Sequence, residues 1–280
     1  MTSRVVEAVS PSRYLGGMGA MLAVGDHLRE WRQRRRMSQL DLALEAEISA
    51  RHLSFVETGR STPSRDMILH LAEQLEIPVR ERNILLVAAG YAPVFPERAL
   101  DDPQLTAARA AIDQVLEGHK PFPAFAVDRR WNIVASNGAL PQMYEGVLDE
   151  LMQPPVNALR LSLHPQGLAP RIVNLAEWRA HLLARVRQQI DLSADPELVD
   201  LARELQAYPA PRAVAGRLNG ARAPGVIIPF QLQVAGGVLS FFSTTMVFGT
   251  PIDITLSELA VESFFPADPE TAALVRGMTG

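Results

Sequence analysis

The hydrophobic pattern is most informative between Met37 and Ser64. Apolar residues recur at helical spacing through Leu40, Ala43 and Leu44, stop at Glu47-Ile48-Ser49, and resume at Leu53 and Val56. That spacing predicts two short helices joined by a tight turn, with Ser49 as N-cap of the second. Upstream, Leu28 and Trp31 lie one helical turn apart, which places Trp31 in a core. Downstream, a helix opening at the Ser64 cap carries Ile68, Leu71, Ala72 and Leu75, and another after Pro78 turns Ile84, Leu85 and Ala88 inward. Tyr91 to Pro96 ends the helical pattern and opens a proline-stiffened linker over residues 93–103. The expectation is an all-α bundle of five helices over residues 22–92.

From Gln104 the pattern changes. A helix bearing Leu105, Ala108, Ile112, Val115 and Leu116 precedes the strand-like run Phe122–Val127. A turn at Asp128-Arg129-Arg130 returns the chain as a second strand, Trp131–Ala135. Helices are expected at Val156–Leu163, Leu175–Gln189 and Pro196–Leu205. Val226–Val234 then alternates as a strand, Gly236-Gly237 turns a hairpin, and Val238–Phe248 is the longest β-rich run. Strands, then helices, then a hairpin describe an antiparallel sheet with helices packed on it, so residues 104–280 read as an α+β domain and the whole chain as α+β.

Composition narrows the chemistry. The 280 residues contain no cysteine, which excludes disulfides, thiolate metal sites and a thiol nucleophile. No apolar run approaches the ~18 residues of a membrane span. The stretch from Leu15 to Val24 is short, Gly-rich and without a convincing cleavage site, so a cytoplasmic protein is expected and residues 1–21 read as a mobile arm. Lys120 is the only lysine against an abundance of arginine, the usage of a GC-rich bacterial genome. The net charge of −4 argues mildly against DNA, but residues 1–91 carry 12 Arg and 11 Asp or Glu, a net of +1. A near-neutral head still binds DNA if its arginines share a face and dimerisation supplies affinity.

Two short helices with a tight turn are the architecture that lays a second helix into the major groove. Gln39 opens the first, where an amide and free N–H groups suit a phosphate. With Leu53 and Val56 inward, Arg51 and Phe55 share the opposite face, one suited to guanine and the other to a thymine methyl. Gly59, able to take positive φ, ends the helix and leaves Arg60 beside the DNA backbone. The run Arg34-Arg35-Arg36 reads as a solvated helix end or a phosphate contact.

Residues 24–77 resemble the helix-turn-helix domains of the xenobiotic-response-element, lambda-repressor-like regulators. The likeness runs through Leu28–Arg32, Met37-Ser38-Gln39, Ser49–Ser54, Val56-Glu57 with Gly59, and Pro63-Ser64. It implies an ion pair between Arg32 on the first helix and Glu57 on the recognition helix. Where such domains often carry a polar base reader, this chain has Ala50, limited to a methyl contact, so reading falls to Arg51, His52, Ser54 and Phe55 next to Ser49.

The run Phe125–Asn137 is similar to the opening of a PAS domain. Joined to the head, and with Asp101-Asp102-Pro103, His164-Pro165 and Phe264-Phe265-Pro266, it resembles the MmyB-like transcription regulators. That resemblance implies a dimeric, effector-responsive regulator of double-stranded DNA whose pocket takes a fatty-acid-like molecule. In the sequence itself, Trp178, Leu182 and Val186 form a helical stripe and Ile228, Phe230 and Leu232 share one strand face with Val226; both fit a cavity lining or ordinary core. Arg179, Arg185 and Arg187 are candidates for a carboxylate head group or for solvated surface. His119, Asp128 and Ser136 string into a triad on paper, but no nucleophile-elbow pattern accompanies them and the six histidines lack ligand spacing. No catalytic residue, metal or cofactor is expected beyond a bound fatty acid. A C-terminal domain serving only dimerisation or protein interaction, and a DNA-tethered enzyme, stay open as alternatives.

Overall fold

The computed structural model describes residues 22–139, 141–209, 227–249 and 253–279. The arm read over residues 1–21 and the strand start at Val226 lie outside them. The chain divides into two compact units: one reaches to Arg98 and includes 191–193 and 251–257, and the other holds the remainder.

The first unit is built on α1 (Val24–Arg34), α2 (Gln39–Glu45), α3 (Ala50–Glu57), α4 (Arg65–Gln74) and α5 (Val79–Ala88). Serine caps start three of these helices. Ser38, Ser49 and Ser64 accept from the backbone N–H of Asp41, His52 and Met67, and Asp41 completes a capping box by accepting from Ser38 N. Leu28, Trp31, Leu53, Val56, Ile68, Leu71 and Leu75 are buried.

Two expected faces are corrected. In α2, Leu40 and Leu44 are 59% and 68% exposed, while Leu42, Ala43 and, just past the helix end, Ala46 face the core. In α5 the buried residues are Asn83, Leu85 and Leu86, and Ile84 and Ala88 are only half-buried. Asn83 explains why the expected linker is not free over its first half. Its Oδ1 accepts from Val94 N and Phe95 N (3.0 and 3.1 Å), and its Nδ2 donates to Phe95 O (2.7 Å). Arg80 adds an ion pair to Glu97 at 2.7 Å, so residues 94–97 are fastened to α5.

The second unit begins with α6 (Thr106–Gly118) and a five-stranded antiparallel sheet: β1 (Ala124–Val127), β2 (Ile133–Ser136), β3 (Phe230–Val234), β4 (Gly237–Val247) and β5 (Ala260–Pro266), in the order β2-β1-β5-β4-β3. Between β2 and β3 come α7 (Ala158–Leu163), α8 (Leu175–Ser193) and α9 (Pro196–Ala207); α10 (Pro269–Thr279) follows β5. Sequence periodicity missed β5, the strand that joins the two hairpins. The expected first two strands are also shorter than read: β1 starts only at Ala124, and β2 starts at Ile133 because Asp128 closes the turn before it. Its carboxylate accepts from Arg130 N, Asn132 N and Asn132 Nδ2 at 2.8–2.9 Å, and Trp131 takes a left-handed φ of 67°. Buried Asn137 ties the end of β2 to α6 by donating to Leu116 O and Phe122 O, and Asn157 caps α7. These contacts bring Trp131, β1 and α7 around one interior space.

Candidate nucleic-acid interface and apolar cavity

In the first unit α3 is fixed from behind by charge. Arg32 on α1 grips Glu57 at the end of α3 in a two-pronged pair, Nε to Oε1 at 2.6 Å and Nη2 to Oε2 at 2.9 Å. Its third nitrogen donates to Met37 O at 2.8 Å, which ties the same guanidinium to the turn before α2. Gln39 Nε2 donates to Glu57 Oε2 at 2.8 Å, and Arg29 Nη2 donates to the Glu57 carbonyl at 2.9 Å. Glu57 is buried, and burial alone would raise its carboxyl. The hydrogen bonds from Arg32 and Gln39, with the charges of Arg32 and Arg29, outweigh that and hold it below its ordinary value. Three side chains from two helices, α1 and α2, therefore converge on Glu57, and α3 has little freedom to rotate.

The outward side of α3 carries the arginines. Arg51 is exposed, and its guanidinium lies 5.3 Å from the centroid of the Phe55 ring. Arg60 lies over the same ring at 5.9 Å. Phe55 is thus half-buried beneath two cations rather than bare, and both cations are held ready by the ring quadrupole. Gly59 takes φ 71°, so the chain doubles back and Arg60 N donates to Phe55 O at 2.8 Å. Ala50, His52 and Ser54 are half-buried along this helix, with Ser49 exposed at its cap. Of the run Arg34–Arg36, Arg34 and Arg35 stack over Trp31 at 5.6 and 5.3 Å.

In the second unit the sheet and helices line a partly open cavity with about 60 Å³ of space for the centres of water-sized atoms. One water needs about 10–15 Å³ on that measure, so this is real space rather than a packing defect. One wall is aromatic: Phe264 of β5 lies 5.7 Å from Phe125, 5.9 Å from Phe230 and 6.2 Å from Phe241, and Trp178 meets Phe230 at 5.1 Å. Ser162 accepts from the Trp178 indole at 2.9 Å and sets that ring. Leu159, Leu161, Leu168 and Leu182 supply aliphatic lining. Tyr144 is also on the wall, and burial pushes its phenol well above its usual range, so it stays neutral.

Among the described residues, charge enters this apolar space at one place. Arg185 of α8 pairs with Glu262 of β5 through Nη2 to Oε1 at 2.6 Å and Nη1 to Oε2 at 3.1 Å. Thr245 bridges the pair, donating to Glu262 Oε1 at 2.8 Å and accepting from Arg185 Nη2 at 2.9 Å. Arg185 also lies 4.8 Å from the Trp131 ring centroid, and the Trp131 indole N–H donates to Gln189 at 2.8 Å.

A model of the MmyB-like transcription regulator ligand-binding domain matches residues 108–277, and a helix-turn-helix model matches residues 28–82. The chain belongs to the MmyB-like transcription regulators. An HTH-type transcriptional regulatory protein of Methanoculleus marisnigri is 33% identical over 138 residues, 48% of this chain and 44% of its own length. The HTH-type transcriptional regulator RghRB of Bacillus subtilis is 37% identical over 78 residues, 28% of this chain and 54% of its own. The chain thus spans about half the length of the curated relatives it matches. Among the described residues no helix is long and apolar enough to cross a membrane.

Sequence-read lining residues of this MmyB-like chain fall in two groups. Trp178, Leu182 and Phe230 line the cavity. Val186 and Leu232 are fully buried core outside the lining, and Ile228 is a half-buried neighbour of that core. The alternation could not separate them, because a cavity wall and a filled core demand the same apolar faces. Sequence reading missed Phe125, Trp131, Phe264 and Glu262, which reach the cavity through the turn at Trp131 and through β5. Arg185 reaches it too, but spoken for by Glu262. Arg179 instead donates to the carbonyls of Leu205 and Gln206, and Arg187 is exposed.

Proposed function

We propose that this MmyB-like chain binds double-stranded DNA sequence-specifically as a homodimer and answers to a small apolar effector with a hydrocarbon chain, of which a fatty acid is the simplest. The observation that carries the DNA reading is the three-way grip on Glu57, which fixes α3 with Arg51 outward beside Phe55 and Arg60. Arg51 reads bases, with Ser49, Ala50, His52, Ser54 and Phe55 completing the contact surface. Arg60 and the second amide hydrogen of Gln39 meet phosphates. A single helix reads few base pairs, so two copies engage half-sites about one turn, ~34–36 Å, apart.

The proposal makes Arg51 and Arg60 separable. Arg51→Ala is expected to cost ~1–3 kcal/mol on the preferred operator and to relax its sequence preference, whereas Arg60→Ala weakens all sequences alike and flattens the salt slope. Binding-site selection with salt titration measures both. An unchanged preferred sequence and affinity in Arg51→Ala would mean that α3 does not read DNA through this face.

The effector reading rests on the aromatic-walled cavity in a unit that we take as PAS-like, on its five antiparallel strands in the order β2-β1-β5-β4-β3 and its flanking helices. Each buried methylene contributes ~0.8 kcal/mol, so affinity for acyl compounds rises with chain length until the cavity and its yielding walls are filled. Operator binding then changes over the same series, provided that the compound favours one dimer arrangement over another. Calorimetry with the full chain and a homologous series of acyl compounds, followed by operator titration, tests this. A flat response at every length would leave the second unit a dimerisation or protein-interaction module acting in the cytoplasm beside DNA.

A further inference from the structure

The sheet of the second unit has an edge that its own strands leave open. Antiparallel pairing turns the N–H and C=O of successive residues to opposite sides of a strand. In β5, Phe264 N donates to Pro123 O at 3.0 Å, so the even-numbered residues of that strand face β1 and the odd-numbered ones face β4. In β4 the even-numbered residues therefore face β5, as Ser240 does in accepting from Ala267 N at 2.8 Å, and the odd-numbered ones face β3. β3 meets β4 only as far as the Phe230–Phe241 pair. Pro229, next in line, has no N–H to give, and its carbonyl accepts from Asn174 Nδ2 at 2.8 Å instead. Past that point the N–H and C=O of Ser243, Thr245 and Val247 meet no backbone partner among the described residues.

Natural sheets blunt such an edge with a charge, a proline or a bulge. This one has none of them. No charged residue lies between Phe230 and Ile252, no proline between Phe230 and Thr250, and the β4–β5 register runs unshifted from Phe241 to Val247. Residues 244–247 are all exposed, Met246 and Val247 at 40% and 64%. The occupant that fits is a second copy of the same edge. Turned antiparallel about Thr245, two copies set Thr245 opposite Thr245 and Ser243 opposite Val247, and each of these pairs exchanges two hydrogen bonds. On the sheet face away from Phe264, Thr244 stands opposite Met246 of the other copy and covers part of its apolar surface. Identical strands carry identical charge, so only an uncharged edge meets its own copy without repulsion. We infer that residues 243–247 of β4 are the seam of the homodimer, pairing antiparallel with the same residues of a second copy into one continuous sheet. The inference rests on the homodimer reading proposed for DNA binding and names its contact surface. Thr245, on the two-fold, also holds Arg185 and Glu262 with its hydroxyl, so the seam runs beside the charged end of the cavity.

Residue-resolved amide hydrogen exchange of the full chain, with sedimentation velocity over a concentration series, tests it. As the protein passes from monomer to dimer, the amides of Ser243, Thr245 and Val247 are expected to slow about tenfold or more. Those of Thr244 and Met246, already turned to β5, hold steady. Thr244→Lys/Met246→Lys sets like charges opposite each other across the seam and is expected to raise the dimer dissociation constant about tenfold. Thr244→Glu/Met246→Lys sets opposite charges there and restores association, and neither position lines the cavity. Dimers whose three amides exchange as fast as in the monomer, or which the two double variants leave equally tight, would overturn the seam and leave the homodimer reading standing. The exchange comparison uses wild-type protein and decides even if the variants fail to fold. Protection of the three amides that is the same at every concentration would assign the edge to residues of the same chain and overturn the seam as well. A chain that stays monomeric at every concentration, with and without operator DNA, would overturn the homodimer reading itself, and this inference with it.

Discussion

Replacing Glu57 by alanine is expected to destabilise the helical unit by about 3–5 kcal/mol, because it strands a guanidinium that is itself buried. Arg32 is 8% exposed and spends two of its three nitrogens on Glu57, so the variant keeps only the bond to Met37 O. Arg32→Ala is expected to be milder, since Glu57 retains Gln39 Nε2 and the neighbouring Arg29. The pair also sets an acid limb. Glu57 has a folded-state value below its ordinary 4.5, so the folded state binds fewer protons there and stability rises with pH. Its contribution is complete above about 4.5 and is lost as pH falls through the lower folded value. Amide hydrogen exchange across α1–α3 at a series of pH values reads both effects. Unchanged protection in Glu57→Ala, or an acid limb that Glu57→Gln fails to flatten, would show that the pair does not hold α3.

Gly25→Ala is expected to cost about 3 kcal/mol or more, even though alanine is the better helix former by up to about 1 kcal/mol. Gly25 is buried in α1, and a Cβ there would stand 2.4 Å from the Val56 carbonyl oxygen and 2.8 Å from that of Glu57. Both obstacles are backbone at the end of α3, so no side-chain rotation relieves the clash and α1 must withdraw. Withdrawal loosens the Arg32–Glu57 pair and the Arg29 bond to the Glu57 carbonyl, which span the same two helices. Operator affinity is therefore expected to fall with stability. Thermal melting decides it: a Gly25→Ala protein that melts at or above wild type would mean that propensity wins and the close approach is not needed.

The two units differ in how legible they were, and the reason is the range over which their structure is encoded. Ser49 and Ser64 each bond a backbone N–H three residues on, so the helix starts are written within single turns of chain. Arg32 and Glu57 were readable as partners through the family pattern, and their side chains meet at 2.6 Å. The inward face of α2 was not readable. In seven residues, Leu40, Leu42, Ala43 and Leu44 fit more than one face, and only packing of the neighbouring helices selects Leu42 and Ala43.

The sequence by itself determined the helical head, its caps, the outward placing of Arg51, and a second α+β region opening with the hairpin around Asp128. Tertiary structure decided the rest. β5 reads Ala-Val-Glu-Ser-Phe-Phe-Pro, and its buried Glu262 and Ser263 break any alternation. It is a strand because β1 and β4 pair with both its edges, and its glutamate is tolerated inside because Arg185, 77 residues earlier, neutralises it. The cavity follows from the same distant meetings. A local pattern reports which side of an element is apolar, whereas empty space is a property of what stands opposite, and that is set by residues far apart in the chain.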